Sequence, residues 1–161
     1  MAQTLLVTSS EVVAECFTFT KTDTALVKDT HIELAQIGSI KPILGKDLFD
    51  LIIAHKLAGT LTADETILVN SYIKRPLLWY SYANCLVNIF NQTGSAGIVQ
   101  HNPEFGNQVS QASFANSKAE AIRTADSYRD ILKKYLDDNT TLFPLYLSGS
   151  PFKSSFGIII D

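Results

Sequence analysis

Ile73-Lys74-Arg75-Pro76-Leu77-Leu78-Trp79-Tyr80-Ser81-Tyr82-Ala83-Asn84-Cys85-Leu86-Val87-Asn88-Ile89-Phe90 contains the most apolar part of the chain. From Leu77 onward its polar residues are Ser81, Asn84 and Asn88, three and four positions apart. Together with Asn91 they form one narrow stripe on a helix. A helix with so thin a polar face is buried on nearly every side. It does not read as a membrane span, because Leu77 to Phe90 is about fourteen residues where roughly twenty are needed. Pro76 at its head predicts a kink. The aromatic cluster Tyr72, Trp79, Tyr80 and Tyr82 reads as core rather than as a stacking platform for bases, and the Lys74-Arg75 pair beside it reads as a solvated helix edge.

Upstream, Thr62 and Glu65 fit a capping box, in which a hydroxyl accepts the N3 amide and the carboxylate reaches back to the cap amide. Thr8 with Glu11 and Ser117 with Glu120 repeat the signature. Each precedes apolar residues at helical spacing, which predicts three helix starts. The first helix covers roughly residues 9–16, with Val12, Val13 and Cys16 inward. Phe17 to Lys21 reads as an extended linker. A second helix runs from about Asp23 to Ile40. Pro42 disfavours helix at Lys41, a further turn reaches Leu44, and Gly45 supplies a left-handed stop. A third helix, Lys46 to Ala58, turns Leu48, Leu51, Ile52 and Ile53 inward and ends at Gly59. Ile40-Lys41-Pro42 and Ile73-Lys74-Arg75-Pro76 echo each other, which two Pro-kinked helices explain without a repeat.

Downstream, residues 93–113 turn polar and carry Gly94, Gly97, Pro103 and Gly106, which predicts a long loop with a hairpin through Ile98-Val99-Gln100. Loops this long in a compact domain are commonly functional. The last long helix spans about Phe114 to Asp137. Ile122, Ala125, Tyr128, Leu132 and Tyr135 form its apolar stripe, opposite Arg123, Asp126, Asp130 and Lys134. The tail from Asn139 is nearly uncharged and ends Phe156-Gly157-Ile158-Ile159-Ile160-Asp161, where three β-branched residues favour a strand. The expected fold is mainly α. It is a bundle of four to five helices with a long β-like loop and a C-terminal strand, in one domain over 1–161. Its helical core is 9–137 with the inserted loop 94–113, and 138–161 is an extended C-terminal tail.

Composition narrows the function. The 161 residues suffice for one core without staples. Only 18% are charged, against roughly 25% as usual, so part of the surface is expected to be hidden in an oligomer. The net charge of −3 and the lack of clustered Lys and Arg argue against an electrostatic nucleic-acid binder. Cys16 and Cys85 lie among apolar residues and read as buried reduced thiols, which fits synthesis in a cytosol. The N-terminus lacks the basic and apolar regions of a signal peptide.

No chemical motif emerges. Gly45-Lys46-Asp47 fails as a phosphate loop twice, since Ile40 and Asp47 stand where Gly and Ser or Thr are required. His31-Ile32-Glu33 begins a zinc-deaminase signature that no P-C-x-x-C completes. The three histidines and two cysteines have no metal-ligand spacing. His31 reads as an ordinary helix residue, and His55 suits the end of its helix. A pairing of His101 with Glu104 is the nearest thing to an acid–base couple. Asp47/Asp50 and Asp126/Asp130 read as solvated. No catalytic, cofactor or metal residues are therefore expected, and the protein does not read as an enzyme.

Asp23 to about Asn91 resembles the helical core of tailed-phage head–tail connector (adaptor) proteins. The resemblance is carried by His31-Ile32-Glu33-Leu34-Ala35, by Ile40-Lys41-Pro42-Ile43-Leu44-Gly45-Lys46-Asp47-Leu48-Phe49 and by Tyr72 through Tyr80. Similar Ile-Lys-Pro and Leu-Gly segments recur in connector-like proteins of phages infecting Bacteroidetes, crAss-like phages among them. The polar loop and the following long helix complete the pattern. Residues 142–161 match no part of it. The resemblance implies a virion protein of the phage neck, made in the host cytoplasm. It implies a ring, commonly twelve-fold, bound beneath the portal protein and offering a docking surface to tail proteins. DNA passes through the ring without sequence-specific binding, and no membrane is involved. Phe156, Ile158, Ile159 and Ile160 in the tail, and Ile98, Val99, His101 and Phe105 in the loop, are the expected interface residues. The rival reading is a small ligand-binding or protein-interaction bundle with a pocket between Trp79, Tyr82 and the stripe of Ser81, Asn84 and Asn88.

Overall fold

The computed structural model describes residues 4–17, 23–94, 97–100 and 111–148, with backbone alone for 88–94, 97–100, 111–114 and 147–148. The chain is mainly helical. Two of the three capping boxes form. At Thr8 the hydroxyl accepts the Glu11 N–H at 3.3 Å and the Thr8 N–H donates to Glu11 Oε2 at 2.8 Å, opening α1 (Ser9–Cys16). The same exchange at 3.2 and 2.9 Å links Thr62 and Glu65 at the head of α5 (Ala63–Ile67). The third is a correction: Ser117 lies in the second turn of α7 (Gln111–Asp138), where backbone hydrogen bonds already engage the amides a cap would serve.

The expected second helix starts later than Asp23. Asp23 caps only a short 3₁₀ turn, Thr24–Leu26, and α2 (Asp29–Ala35) begins after Lys28. There the Lys28 N–H donates to His31 Nδ1 at 3.1 Å, so His31 serves as a buried cap partner. From α2 the backbone passes through a π-helical turn, Gln36–Ile40, into α3 (Lys41–Leu44). The fourth segment repeats this plan. After α5 comes a π turn, Leu68–Ile73, then α6 (Lys74–Phe90). Each proline follows its π turn within a few residues. Widening the helix by one residue moves the ring off the preceding carbonyl and absorbs the missing N–H.

Between these two helices, α4 (Lys46–Ala58) keeps the expected bounds. Gly45 before it has φ 80° and ψ 160°, a positive φ outside the left-handed helical region and open to glycine almost alone. Gly59 after it is left-handed at φ 69°, and Gly59 and Thr60 donate to the Lys56 and His55 carbonyls as a Schellman cap. Beyond α6, Asn91–Gly94 (β1) pairs antiparallel with Gly97–Gln100 (β2).

The core gathers Val12, Ile32, Ile40, Leu48, Phe49, Leu68, Ile73, Leu77 and Leu132, all buried. Three departures from expectation matter. Leu6 and Val7, ahead of the first helix, are core residues, held by Gln36. The apolar face of α7 is Ala121, Ala125, Leu132 and Leu136, while Ile122 is exposed and Tyr128 only half-buried, so the stripe is rotated by about one position. The stretch 138–161 is not simply an extended tail. Phe143 and Tyr146 are buried, and Pro144–Ser148 forms a short helix, α8, an addition to the four or five helices expected. Proline suits a first helical position because its fixed φ is already helical. The expected C-terminal strand lies outside the described residues.

Candidate functional site

The first proline helix opens onto a groove. Gly38 and Ser39 of its π turn, with Pro42 and Ile43 of α3, face Tyr80 of α6, Asp126, Arg129 and Lys133 of α7, and Tyr146 of α8. Together they enclose about 590 Å³, within the range of ordinary binding pockets. Asp126, Arg129 and Lys133 recur at helical spacing, so one face of α7 supplies the charge.

A hydrogen-bonded cluster fixes the floor. The Tyr80 hydroxyl donates to Asp126 Oδ1 at 2.5 Å, and Arg129 Nη1 donates to the same oxygen at 2.7 Å. Arg129 also donates to Asp130 Oδ1 through Nη2 at 3.1 Å. Burial, then the Asp126 carboxylate, push Tyr80 up to about 12, so it remains a neutral phenol. Burial and Asp137 likewise push Tyr146 to about 12, and its hydroxyl donates to Asp137 at 3.1 Å. Both phenols hold their protons firmly and line the groove. A volume of this size lined by phenolic and charged groups suits binding. Lys133 stands exposed at the rim with no ion pair among the described residues, so two lining cations face one lining carboxylate.

A backbone feature adds to the rim. The Lys41 N–H donates to the Gln36 carbonyl, five residues back, and Pro42 has no N–H. The Ile37 carbonyl therefore receives nothing from its own helix, either at α or at π spacing. Gln36 itself is fully buried. Its Oε1 accepts the Leu6 N–H at 2.9 Å and its Nε2 donates to the Thr4 carbonyl at 3.0 Å. It clamps the N-terminal segment against the π turn.

A second polar pair joins α4 to α5. His55 Nδ1 lies 2.8 Å from Glu65 Oε2, and Glu65 is buried. Burial raises the Glu65 carboxyl, but the Thr62 N–H and His55 outweigh it and hold the group below its ordinary value. A smaller cavity of about 320 Å³ lies beside this pair, lined by Leu48, Thr62, Glu65 and Phe143 among others.

Of the polar stripe expected near Trp79 and Tyr82, Ser81 and Asn84 are engaged with backbone carbonyls, and the side chain of Asn88 lies outside the described residues. Ser81 Oγ donates to the Leu77 carbonyl of its own helix at 2.7 Å, and Asn84 Nδ2 donates to the His31 carbonyl at 3.1 Å. Tyr82 packs edge-on against Trp79 and Phe17, while Tyr72 stacks on Tyr135 at 3.7 Å. Asp126, read from the sequence as solvated, instead sits in the groove floor. Cys16 and Cys85 are free thiols, and burial pushes them up to about 12 and 11. Of the expected interface residues, Ile98 and Val99 lie on β2, where the backbone alone is described. His101, Phe105, Phe156, Ile158, Ile159 and Ile160 lie outside the described residues, as does the pairing of His101 with Glu104.

Among the described residues no group of His, Cys, Asp and Glu is placed to hold a metal ion, and no helix is long and apolar enough to cross a membrane. The surface does carry large apolar side chains. Leu57 is 75% exposed, Leu34 64% and Ile131 54%, with Ile37 and Ile67 also exposed.

One comparison with known proteins finds a match. The sequence profile of DUF6712, described as a family of unknown function, covers residues 40–155. No curated protein and no solved structure matches.

Proposed function

We propose that this chain, which belongs to the DUF6712 family, is a structural subunit that works by assembling with copies of itself and with other proteins. The observation that carries this reading is the outward display of Leu34, Leu57 and Ile131 on helices of a chain with only 18% charged residues. Such side chains gain most when a neighbour covers them. In its specific form the proposal follows the resemblance to head–tail connectors. The subunit forms a ring, commonly twelve-fold, in the neck of a phage virion, beneath the portal protein and above tail proteins. DNA crosses its channel without base readout. The strand-prone segment Phe156–Ile160 adds to a neighbouring subunit, and the loop 94–113, with Ile98, Val99, His101 and Phe105, meets a neighbour, portal or tail protein.

The test is the mass of the purified protein in solution, alone and mixed with portal and tail proteins. A closed ring, or recruitment into one by a portal, supports the reading. A strict monomer that ignores every virion protein overturns it.

A further inference from the structure

We propose that Cys16 and Cys85, the chain's two cysteines, form a reversible disulfide when the folded protein meets a small disulfide oxidant such as glutathione disulfide. The bond staples α1, and the N-terminal segment ahead of it, to α6. This modification site goes beyond the assembly reading and does not depend on it.

Three observations bring the thiols together. The first is the alignment of α1 on α6. Lys74 Nζ donates to Glu11 Oε1 at 2.7 Å, and the Phe17 and Tyr82 rings meet edge-on with centroids 4.9 Å apart. These two ties advance in the same direction along both helices. Cys16, the last residue of α1, therefore comes level with the turn of α6 around Tyr82. The second is the direction of the Cys85 side chain. Helical side chains lean toward the N-terminus of their helix, and Cys85 Sγ donates back to the Tyr82 carbonyl at 3.1 Å. Its sulfur thus lies at the level that Cys16 and Phe17 reach. The third is electrostatic. Burial raises Cys16, and Glu15 and Cys85 add to the rise. Burial raises Tyr82 as well, and Cys85 and Cys16 add to it. The two sulfurs and the phenol therefore share one neighbourhood.

The chemistry balances as a thiol–disulfide exchange. Cys16 is only partly buried and Cys85 is buried, so Cys16 reacts first. Its thiol gives a proton to solvent and the thiolate attacks one sulfur of glutathione disulfide. One glutathione leaves as a thiolate and takes up a proton. Cys85 then loses its proton, attacks the Cys16 sulfur of the mixed disulfide and expels the second glutathione as a thiol. The protein loses two S–H bonds and gains one S–S bond, while the oxidant is reduced to two thiols. Burial holds the protein thiols high, at about 12 and 11, so thiolates are scarce near neutrality and the staple forms slowly there. Once formed, it closes the loop from residue 16 to residue 85 and fixes an arm that also carries Leu6 and Val7 into the core.

The test uses the full-length native chain. The reduced protein is equilibrated in a glutathione redox buffer, free thiols are trapped by alkylation, and the intact mass and the linked peptides are measured. The expected product is a chain lighter by two hydrogen atoms, with the Cys16 and Cys85 peptides joined and both thiols recovered by dithiothreitol. The folded chain is expected to favour this bond about a hundredfold over the chain unfolded in guanidinium, the same factor by which the bond favours folding. The thermal midpoint of the oxidised chain is expected to rise by roughly 8 °C. Cys85→Ser, checked by circular dichroism to be folded, is expected to stop at the mixed disulfide on Cys16. A folded chain that keeps both thiols in a buffer that oxidises the unfolded chain overturns the proposal. So does a product linked only between two chains, or a Cys16–Cys85 bond that lowers the thermal midpoint.

Discussion

The two proline-bearing helices use one backbone device in two settings. In each, an N–H donates five residues back just before the proline, Lys41 to Gln36 and Lys74 to Val69. In each, the isoleucine that closes the π turn, Ile40 or Ile73, is fully buried. Around Pro76 nearly everything that follows faces the interior, and Leu77, Leu78 and Ser81 are buried. Around Pro42, Ile37 and Gly38 face outward and the turn borders a groove. A π turn is thus a way to keep a helix running past a proline. Whether it also makes a binding site depends on what packs against it.

The two π turns differ most at their equivalent acceptor residues, Gln36 and Val69. Gln36→Ala is expected to destabilise the fold by about 3 kcal/mol, because the buried Leu6 N–H and the Thr4 carbonyl both lose their partner. Val69→Ala, which removes only packing, is expected to cost about 2 kcal/mol. Urea unfolding of both variants checks the order, and a smaller loss for Gln36→Ala contradicts the clamp. Glu65→Ala is expected to cost about 1.5 kcal/mol through the lost cap at the head of the second proline helix. Its pH dependence has a definite sign. The Glu65 carboxyl is held below its ordinary 4.5 in the folded chain. Its contribution is therefore present above about that pH and is lost as pH falls through the lower folded value. The gap between native and variant stability narrows on acidification, measurable by thermal unfolding from pH 7 to 3. The smallest effect is at Gly38. Gly38→Ala is expected to stabilise by about 0.5 kcal/mol, since the site is helical and open. A loss of stability there contradicts the open groove.

Local signals are legible in the sequence, and tertiary ones are not. Thr8 and Thr62 carry their partners three residues away, and α4 is bounded by two glycines at positive φ, so both capping boxes and the bounds of α4 were legible. Ser117 shows the limit: the same motif means nothing when the helix has already begun. Gln36 left a clue, since Ile32, Gln36 and Ile40 are spaced four apart and all are buried. A polar residue in that row asks for a specific partner, but nothing local says that the partner is the Thr4–Leu6 backbone. Asp126 looked solvated because its helix is charged. Only the approach of Tyr80 from α6 turns it inward. The groove joins residues from 38 to 146, a separation that no spacing rule spans.

The long helix α7 has one further consequence. It begins at Gln111, yet its first buried side chain among the described residues is Ala121. At about 1.5 Å per residue, the described stretch 115–120 ahead of it is roughly 9 Å of rod with no buried side chain of its own. Such a beam has its own hydrogen bonds but little tertiary ballast, so it frays before the body to which it is fixed. Amide protection along 115–120 is therefore a gauge of whether anything has come to rest upon it.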